Sequence, residues 1–529
     1  MILEQKQTLE KQLWNIANDL RGNMDAFEFK DYILGLIFYK YLSERQLAYA
    51  NDLLQTEKVK DYPLVTDKGD IEAIKVESLE YLGYFLEPSE LFSAVVAKGQ
   101  LASEEYDTVV IADLKKIFNN IIASANQCNS AEDFNNLFED LDLDSTKLGR
   151  NVNARNDLVV KIMANLDRID FRLSESDSDV LGDAYEYLIS QFASSAGKKA
   201  GEFYTPQQVS KVLAKIVTLG RDRIRNAYDP TCGSGSLLLR IEKELRTKTS
   251  DGEDSLIELY GQELNRTTYN LARMNMIMHQ VHFERFDIRQ EDTLEKPQHR
   301  DLQFETVVAN PPFSARWTGD TNPLHNDDDR FSMYGILAPK SKADFAFVQH
   351  MLYQLADNGT MAVVLPHGVL FRGAAEGKIR CYIIEELNYL DAIIGLPANL
   401  FYGTGIPTCI LVLKKCRRDD DSILFIDASR EFQKVGNQNT LTDEHVKKIV
   451  STFEKRETIE KYSYLASLDE IRENEFNLNI PRYVDTFEEE QLIDLEQVAR
   501  DLKQLETQFQ KTDKTIEKYC KELGIATPF

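Results

Sequence analysis

The sequence predicts an α/β protein with a doubly wound, mostly parallel sheet, an all-helical domain before it and a helical tail after it. Three observations support this fold class. Apolar residues recur at helical spacing before about residue 170, short β-rich runs alternate with helical stretches from about 197 to 415, and a long amphipathic pattern begins near 488. Strands alternating with helices are typical of parallel sheets covered on both faces. We therefore expect three parts: residues 1–170, 171–480 and 481–529.

The first part shows helical periodicity from its beginning. Leu9, Leu13, Ile16 and Leu20 lie three or four residues apart, the spacing of one helix face. Strand signals are few up to about residue 170. With 529 residues, of which 43% are hydrophobic, the chain can form more than one core.

The middle part contains seven candidate strands separated by helical patterns. Its predicted strands are 226–228, 258–261, 283–289, 306–309, 361–365, 392–396 and 409–413, and its clearest helices are 237–245, 268–279 and 345–355. The stretch 315–330 is polar, rich in aspartate and without periodicity. We interpret it as a mobile loop beside the chemistry.

The tail has apolar residues three, four or seven positions apart from Leu492 to Leu523, with charged residues between them. This pattern predicts a long amphipathic helix or a helix pair. Such a helix can cover the protein's own core or dock onto a partner, and the pattern leaves both options open.

The composition restricts the class of protein. The net charge of −25 is unusual for a chain that grips nucleic acid alone, because phosphate contacts favour a basic surface. Either the chain binds no nucleic acid or a partner supplies much of the grip. No apolar run is long enough to span a membrane, and no secretory signal opens the chain, so we expect a cytoplasmic protein. The six scattered cysteines indicate reduced thiols and no metal site.

A glycine-rich turn follows the first candidate strand. Asp229 precedes Gly233, Ser234 and Gly235, and a helical pattern follows. The glycines permit a tight turn and a close approach of ligand to backbone, and the helix N-terminus offers free N–H groups. The turn lacks the Lys-Ser/Thr pair of a phosphate loop. An acid before the glycines suits a cationic ligand, although an ordinary strand-to-helix turn would look similar.

Two further acids follow candidate strands. Glu263 ends the second strand, where an acid accepts hydrogen bonds from ribose hydroxyls in nucleotide-binding sheets. The usual gap is about twenty residues, and the polar insert 247–254 can absorb the longer spacing found here. Asp292 follows the third strand and could accept from an adenine amino group. A solvated surface acid is the alternative interpretation of both residues.

The turn Asn310-Pro311-Pro312-Phe313 follows the fourth candidate strand directly. An aromatic amino group is a poor nucleophile because its lone pair is delocalised into the ring. The Asn310 side-chain oxygen and the Pro311 carbonyl can accept its two hydrogens and draw it toward a tetrahedral amine, while the prolines stiffen the turn. Phe313 can stack on a target base. We therefore predict catalytic roles for Asn310, Pro311 and Phe313.

Together these motifs resemble those of the amino-methyltransferases that act on DNA, in the order typical of adenine-N6 enzymes. The wider sequence resembles the modification subunits of type I restriction-modification systems. The resemblance rests on Gly201-Glu202-Phe203-Tyr204-Thr205-Pro206, Leu13-Trp14, Leu20-Arg21-Gly22-Asn23-Met24-Asp25, Tyr32-Ile33-Leu34-Gly35-Leu36, Val180-Leu181-Gly182-Asp183-Ala184-Tyr185-Glu186-Tyr187-Leu188, Lys342-Ala343-Asp344-Phe345-Ala346-Phe347 and Asn477-Leu478-Asn479-Ile480-Pro481-Arg482-Tyr483.

The resemblance implies a Rossmann-like methyltransferase core that uses S-adenosylmethionine to methylate a flipped adenine at a specific site in double-stranded DNA. It also implies two copies of this chain on one specificity subunit, with a restriction subunit able to join, and the C-terminal helix as a dock for the specificity subunit. By resemblance, the donor pocket is lined by Phe203, Tyr204, Thr205, Asp229, Gly233, Ser234, Glu263 and Asp292.

Two other functions remain open at the level of sequence. Related Asn-Pro-Pro-aromatic sites methylate a protein glutamine amide or an RNA base, although such enzymes generally lack a segment like 201–206 and this helical domain. An inactive scaffold could also keep the fold. Its motifs would then be free to decay, whereas all three are intact here.

Overall fold

The computed structural model describes residues 2–19, 26–57, 59–105, 110–126, 128–169, 171, 180–195, 205–248, 257–417, 422–436, 438–486 and 495–529. Two compact units are present, Met1–Val484 and Asp485–Phe529. The larger unit contains a helical region and a sheet with helices on both faces.

The helical region is built around one continuous apolar core. Leu13, Ile37 and Leu188 are fully buried in it, and they come from three different helices. Its helices are α1 (Ile2–Asp19), α2 (Ala26–Leu53), α3 (Lys68–Tyr81), α4 (Phe92–Glu105), α5 (Val110–Ala125), α6 (Ala131–Phe134), α7 (Val152–Asp167) and α8 (Val180–Ser195). The predicted helical N-terminal region is therefore present, and α8 packs within its core.

The α/β region contains one nine-stranded sheet and a separate two-stranded ribbon among the described residues. Its strands are β1 (Asn226–Asp229), β2 (Glu258–Glu263), β3 (Phe286–Gln290), β4 (Phe304–Ala309), β5 (Leu355–Pro366), β6 (Leu390–Gly395), β7 (Thr408–Lys414), β8 (Ile423–Asp427), β9 (Gln433–Val435), β10 (Gln438–Thr440) and β11 (Ser463–Ala466). The large sheet has the order β11-β8-β6-β7-β5-β4-β1-β2-β3, and β9 pairs with β10 in the ribbon.

Helices cover both faces of this sheet. Side chains alternate between the two faces, and apolar side chains on each face need to be covered. Val308 of β4 packs into one apolar core and its neighbour Val307 into the other. The helices are α9 (Gln207–Val217), α10 (Ser236–Arg246), α11 (Arg266–Met278), α12 (Asp329–Ser332), α13 (Asp344–Gln354), α14 (Ala374–Glu385), α15 (Asp443–Lys455) and α16 (Leu468–Glu473). The doubly wound α/β class is confirmed.

The strand order reverses between β1 and β4. The chain lays β2 and β3 on one side of β1, then returns to place β4 and β5 on the other side, with parallel pairing throughout. A sheet of this type has a crevice at the carboxyl ends of the two strands where the order reverses. The topology therefore brings the segments after β1 and β4 together.

The other half of the sheet is mixed. β7 runs antiparallel to both β5 and β6, and β11 runs antiparallel to β8, whereas β6 and β8 are parallel. β7 follows β6 after the link 396–407, which contains no helix. A parallel return would need a longer crossover, usually helical, so the chain turns back on itself.

The strands differ from the sequence predictions in two ways. The predicted strand 283–289 begins at Phe286, because a short 3-10 turn capped by His282 occupies Phe283–Arg285. Strands β8, β9, β10 and β11 lie after the last predicted strand and were not predicted. β8 lies beside a charged stretch that hides its apolar run, and β11 has only four residues.

The segment 315–330 is not the unpatterned loop that its polar sequence predicts. It contains short helical turns at Gly319–Thr321 and Pro323–Asn326, and α12 begins at Asp329. Trp317 packs its ring against His325 and Phe331, with centroid distances of 4.9 and 5.3 Å. Aromatic side chains in a polar sequence thus give this segment a small core of its own.

A buried arginine fixes the end of the same segment. Arg330 is 2% exposed and donates to the carbonyls of Thr293 (2.9 Å) and Leu294 (2.8 Å). It also pairs with Asp328 and lies 3.2 Å from Nδ1 of His350. Because a guanidinium can only donate, that ring nitrogen accepts. Nε2 of His350 then donates to the Tyr228 hydroxyl, 3.1 Å away on β1.

The helical region meets the α/β region through both apolar and polar contacts on α11. Leu271, Met274 and Met278 are buried in the apolar core of the helical region. Arg273 is 1% exposed and donates through one terminal nitrogen to the carbonyls of Glu132, Asp133 and Asn135. Asn270 donates to Asp140 at 2.7 Å. These hydrogen bonds offset much of the cost of burying the two polar side chains.

The smaller unit contains α17 (Leu495–Leu523). Val498, Leu502, Leu505 and Phe509 recur along one side of the helix, and all four are exposed. The predicted amphipathic helix is confirmed from residue 495 onward, while residues 487–494 lie outside the described part of the chain. Among the described residues, no helix combines the length and apolar character needed to cross a membrane.

Arg330→Met should lower the free energy of unfolding by about 3–5 kcal/mol, because it removes the buried guanidinium that pairs with partly buried Asp328 and leaves two backbone carbonyls without their donor. Arg300→Met is the matched control. Arg300 also pairs with Asp328 but is 40% exposed, so its loss should cost less than about 1 kcal/mol. Denaturant titration of both variants measures the difference, and equal losses would refute the structural role of Arg330.

Candidate active site

The residues singled out in the sequence gather at one edge of the sheet. Asp229 ends β1, Glu263 ends β2, Asp292 follows β3 and Asn310 follows β4. Because these four strands are parallel neighbours spaced about 4.8 Å apart, their carboxyl ends form one continuous rim. The strand order therefore brings together residues that are up to eighty residues apart in the sequence.

The glycine turn has the backbone geometry that its sequence predicts. Gly233 and Gly235 adopt φ of 55° and 77°, in the left-handed region. At Gly235 a Cβ atom would meet the Met276 side chain at 2.8 Å. The Gly235 N–H donates to the Cys232 carbonyl at 2.8 Å and α10 begins at the next residue. The turn therefore presents bare backbone at a helix N-terminus.

Asp229 is buried at the start of this turn. It is 1% exposed, and its Oδ1 accepts from the Thr231 N–H at 2.9 Å, which closes a local turn. Burial raises the pKa of this carboxyl to about 8, although the Thr231 bond opposes the rise, and nearby Glu263 adds to it. A cationic ligand beside Asp229 would favour its ionised form.

Glu263 ties the second strand to the glycine turn. Its Oε2 accepts from the Gly233 N–H at 3.0 Å and its Oε1 from the Asn265 N–H at 2.8 Å. Burial raises its pKa, and these backbone bonds limit the rise. Both oxygens keep a second lone pair for further donors, such as ribose hydroxyls.

Asp292 and Ser234 have mainly local partners. Asp292 Oδ1 accepts from the Leu294 N–H at 2.9 Å and caps the turn after β3. The Ser234 hydroxyl lies 3.0 Å from that of Ser236, and its carbonyl accepts from Asn275 at 2.9 Å. The neighbouring Thr293 hydroxyl donates to the Pro230 carbonyl at 2.6 Å, so the turns after β1 and β3 are joined.

The turn after β4 contains an unsatisfied acceptor. Asn310 donates through Nδ2 to the Thr205 hydroxyl at 3.1 Å. Its Oδ1 is buried and has no hydrogen-bond partner among the residues that the structure describes. A buried amide oxygen without a donor is costly, by about 1–3 kcal/mol, and most such groups are satisfied. The geometry leaves this oxygen available to a donor supplied from outside the chain.

Phe313 lies at the other end of this turn. It is half-buried, and its ring meets that of Phe401 edge to face, with centroids 5.5 Å apart at 77°. Phe401 is 2% exposed and comes from the link between β6 and β7. One ring is therefore anchored in the core and holds the other, which reaches the surface.

A buried carboxylate that the motif analysis missed holds the exit of the turn. Asp344 is 1% exposed and accepts from the Ser314 N–H at 2.8 Å and from Arg372 at 3.1 Å. Ser314 has a φ of 52°, an unusual conformation for a residue with a side chain. Arg372 also pairs with buried Glu376 at 2.8 Å. The only sequence signal was that Asp344 opens a helix within a segment typical of the family.

His367 also lies on this rim and was not predicted. It directly follows β5, and its Nε2 donates to the Thr408 carbonyl at 2.9 Å. Burial lowers its pKa, so the ring is neutral near pH 7. A Pro-His pair directly after a strand was the available signal.

Two predicted residues, Phe203 and Tyr204, lie outside the described residues, and Thr205 is the first described residue of their segment. Thr205 is 8% exposed and contacts Asn310. The structure thus brings Thr205 to the turn 310–313, and it places Asp229, Gly233, Ser234 and Glu263 at the glycine turn. In the described part of the chain, no cluster of three or more histidine, cysteine or acidic side chains is arranged to hold a metal ion.

Comparison with protein families assigns both regions of the larger unit. Residues 176–492 match the model of the N-6 DNA Methylase family, and residues 9–166 match that of the HsdM N-terminal domain. The first match covers more than half of the chain and includes the glycine turn and the turn 310–313.

Individual relatives indicate which members of this family the chain resembles. The chain is 40% identical over 508 residues to the type I restriction enzyme MpnII methylase subunit of Mycoplasma pneumoniae, covering 93% of this chain and 92% of the relative. It is 33% identical to the MjaVII methylase subunit of Methanocaldococcus jannaschii, over 87% of this chain and 81% of the relative. The chain belongs to the N-6 DNA methylase family, among the methylase subunits of type I restriction enzymes.

A solved structure agrees with this assignment. The type I restriction-modification methyltransferase subunit of Streptococcus thermophilus superposes with a TM-score of 0.81 at 42% identity, covering 91% of this chain and all of that chain. The protein is therefore a methyltransferase. The comparisons give no support to a glutamine or RNA methyltransferase or to an inactive scaffold.

Gly235→Ala should destabilise the protein more than Gly220→Ala. Both glycines have positive φ, so each alanine pays about 1–2 kcal/mol of backbone strain. A Cβ at Gly220 meets nothing within 4 Å, whereas at Gly235 it meets Met276. The contacted atom is the terminal methyl of Met276, which can shift but is fully buried, so the contact should add about 1 kcal/mol. Unfolding titrations of the two variants measure the difference, and equal destabilisation would contradict the tight fit of the glycine turn.

Proposed function

We propose that this subunit transfers a methyl group from S-adenosylmethionine to the N6 amino group of an adenine flipped out of double-stranded DNA. The observation that carries the proposal is the buried Oδ1 of Asn310, for which the described residues supply no donor. An exocyclic amine offers the N–H that this oxygen needs. The family assignment supports DNA adenine as the substrate.

Asn310 and Pro311 would activate the amine by accepting its hydrogens. When both hydrogens are held by acceptors, the nitrogen becomes more tetrahedral and its lone pair is released from the ring. Thr205 fixes the Asn310 amide through its Nδ2, so Oδ1 is already oriented before the base arrives. Such preorganised acceptors lower the barrier because no reorganisation is needed during the reaction. Transfer is direct, with no covalent bond to the protein.

Phe313 would hold the base in place. Flipping costs a few kcal/mol of unstacking and unpairing. Stacking on an aromatic ring returns about 1–3 kcal/mol. Phe401 supports this ring from the core, so the stacking surface does not have to be ordered when the base arrives.

The glycine turn and its acids fit S-adenosylmethionine. Bare backbone at Gly233 and Gly235 allows close approach, buried Asp229 suits a cationic amino-acid group, and Glu263 keeps lone pairs for ribose hydroxyls. We assign Phe203, Tyr204, Thr205, Ser234 and Asp292 to the same pocket by family resemblance. When bound, the donor supplies a methyl group on a sulfonium, which is already activated for attack.

The assembly that we propose has three parts in each chain: the helical domain 1–170, the catalytic domain 171–480 and the docking segment 481–529. Two such chains would join one specificity subunit, which reads the DNA sequence, and a restriction subunit could be added. Because the specificity subunit would read the DNA and supply much of the grip, a chain with a net charge of −25 could still act on DNA. We expect the complex in the cytoplasm, where host DNA is found.

Asn310→Ala should abolish methyl transfer while donor binding persists. Loss of one preorganised acceptor typically costs about 10²–10³-fold in kcat, and the donor pocket is formed mainly by other residues. Each enzyme is assayed with tritiated donor and the specificity subunit, with DNA, RNA or protein supplied in parallel. The wild-type chain should label DNA alone, and the variant should label none of them. Donor affinity is measured by calorimetry.

The control is Asn326→Ala, since Asn326 is exposed and contacts only its own short turn. It should leave kcat within about twofold, as surface substitutions commonly do. Turnover by the Asn310 variant at the normal rate would refute the polarising role. Label found only in RNA or protein would refute the proposed substrate.

A second prediction concerns docking through α17. Leu502→Asp combined with Phe509→Asp places charge on the exposed apolar side of the helix and should prevent co-purification with the specificity subunit. Donor binding should not change. Thr507→Asp, on the opposite side of the helix, is the matched control and should assemble normally. Normal assembly of the double variant would place the docking surface elsewhere.

A further inference from the structure

The two-stranded ribbon formed by β9 and β10 has no role in the chemistry described above. Its strands pair antiparallel, with Gln433 opposite Thr440 and Val435 opposite Gln438. Directly opposite residues share one face, so these four side chains form one side of the ribbon. All residues of β9 are exposed.

The ribbon projects from the same edge of the sheet as the active site. The register aligns the last residues of β4, β5, β6 and β8 along this edge: Ala309 pairs with Val363, Leu365 with Cys409, Cys409 with Gly395, and Gly395 with Asp427. The chain leaves β8 at Asp427 and enters β9 six residues later. The ribbon therefore stands beside the rim that carries Asn310.

A short chain of contacts joins the ribbon to the proposed base-stacking ring. Asn439 of β10 donates through its side chain to the Ala398 carbonyl at 2.8 Å and through its backbone to the Asn399 carbonyl at 3.0 Å. Phe401, two residues further on, meets Phe313 at 5.5 Å. The ribbon is thus held in a fixed position relative to the catalytic turn.

The chemistry of the ribbon differs from that of the chain around it. From residue 432 to 442 the sequence contains no acid, although the whole chain has 87 acidic and only 62 basic residues. Within this run Lys434 is exposed, and Gln433 and Gln438 provide amide side chains. A two-stranded ribbon fits the major groove of DNA, amides can bond base edges, and lysine contacts phosphates.

We propose that the β9–β10 ribbon contacts the DNA duplex beside the flipped adenine. The Gln433–Gln438 side faces the groove, and exposed Lys434, which lies on the other side of the ribbon opposite Asn439, reaches a phosphate at the groove edge. This inference rests on the proposed function. The ribbon holds the flanking duplex while the specificity subunit reads the distant bases. Lys434 adds a basic contact to an acidic subunit, beside the flipped adenine that must lie close to Asn310.

The test uses the complex of this chain with its specificity subunit and a methylatable duplex. Lys434→Glu should raise KM for DNA at least about tenfold, because one phosphate contact is replaced by repulsion. The kcat and the dissociation constant for S-adenosylmethionine should change less than about twofold, since neither depends on duplex capture. Lys434→Gln should reduce the slope of log KM against log salt by about one.

Lys455→Glu is the matched control. Lys455 is 64% exposed and ends α15 next to Arg456, which bonds Asp391 and Ser422 at the opposite edge of the sheet. It should leave KM for DNA unchanged. An unchanged KM in Lys434→Glu would overturn the inference. So would loss of the specificity subunit from that variant, because the ribbon would then be a protein contact. A wild-type complex that methylates no DNA would refute the proposed function itself, which separates the two failures.

Discussion

The reversal of strand order between β1 and β4 is the constraint on which the rest of the structure depends. It places the ends of two parallel neighbours about 4.8 Å apart, at the position where sheets of this type have a crevice. Asp229 and Asn310 are separated by eighty residues in the sequence, yet each directly follows or ends one of these strands. The proposed pocket for the methyl donor and the proposed site for the target base can therefore share one rim without a long loop between them.

The rim works because side chains from remote elements hold each turn. Thr205, ahead of the sheet, fixes the Asn310 amide, and Asp344, at the start of α13, fixes the exit at Ser314. Arg330 and Thr293 join the turns after β1 and β3 to the segment that follows Phe313. Each of these contacts is buried or partly buried, so water competes little for it and its loss is costly. The turns around the site are consequently held in place by these contacts, while Oδ1 of Asn310 has no donor among the described residues.

Sequence reasoning recovered the parts of this fold that depend on local pattern. Periodic apolar residues predicted the helices of the N-terminal region and α17, and the glycine turn and the turn 310–313 were predicted at the strand ends where they lie. The direction of β7 was not predictable, because direction is set by how the link 396–407 returns and not by the composition of the strand. The segment 315–330 was misjudged since its order comes from one arginine buried by residues distant in sequence. Asp344 was missed as a support for the same reason.

The packing of Trp317 makes this molecule an optical reporter of its own active-site segment. The chain has only two tryptophans, and the other, Trp14, lies in the helical region against Phe192. Indole emission depends on the rings and charges around it, and Trp317 packs against His325 and Phe331, only four residues after Phe313. In a Trp14→Phe background, the tryptophan fluorescence of the protein would therefore come from this segment alone, so that rearrangement after Phe313 could be followed in real time without an added dye.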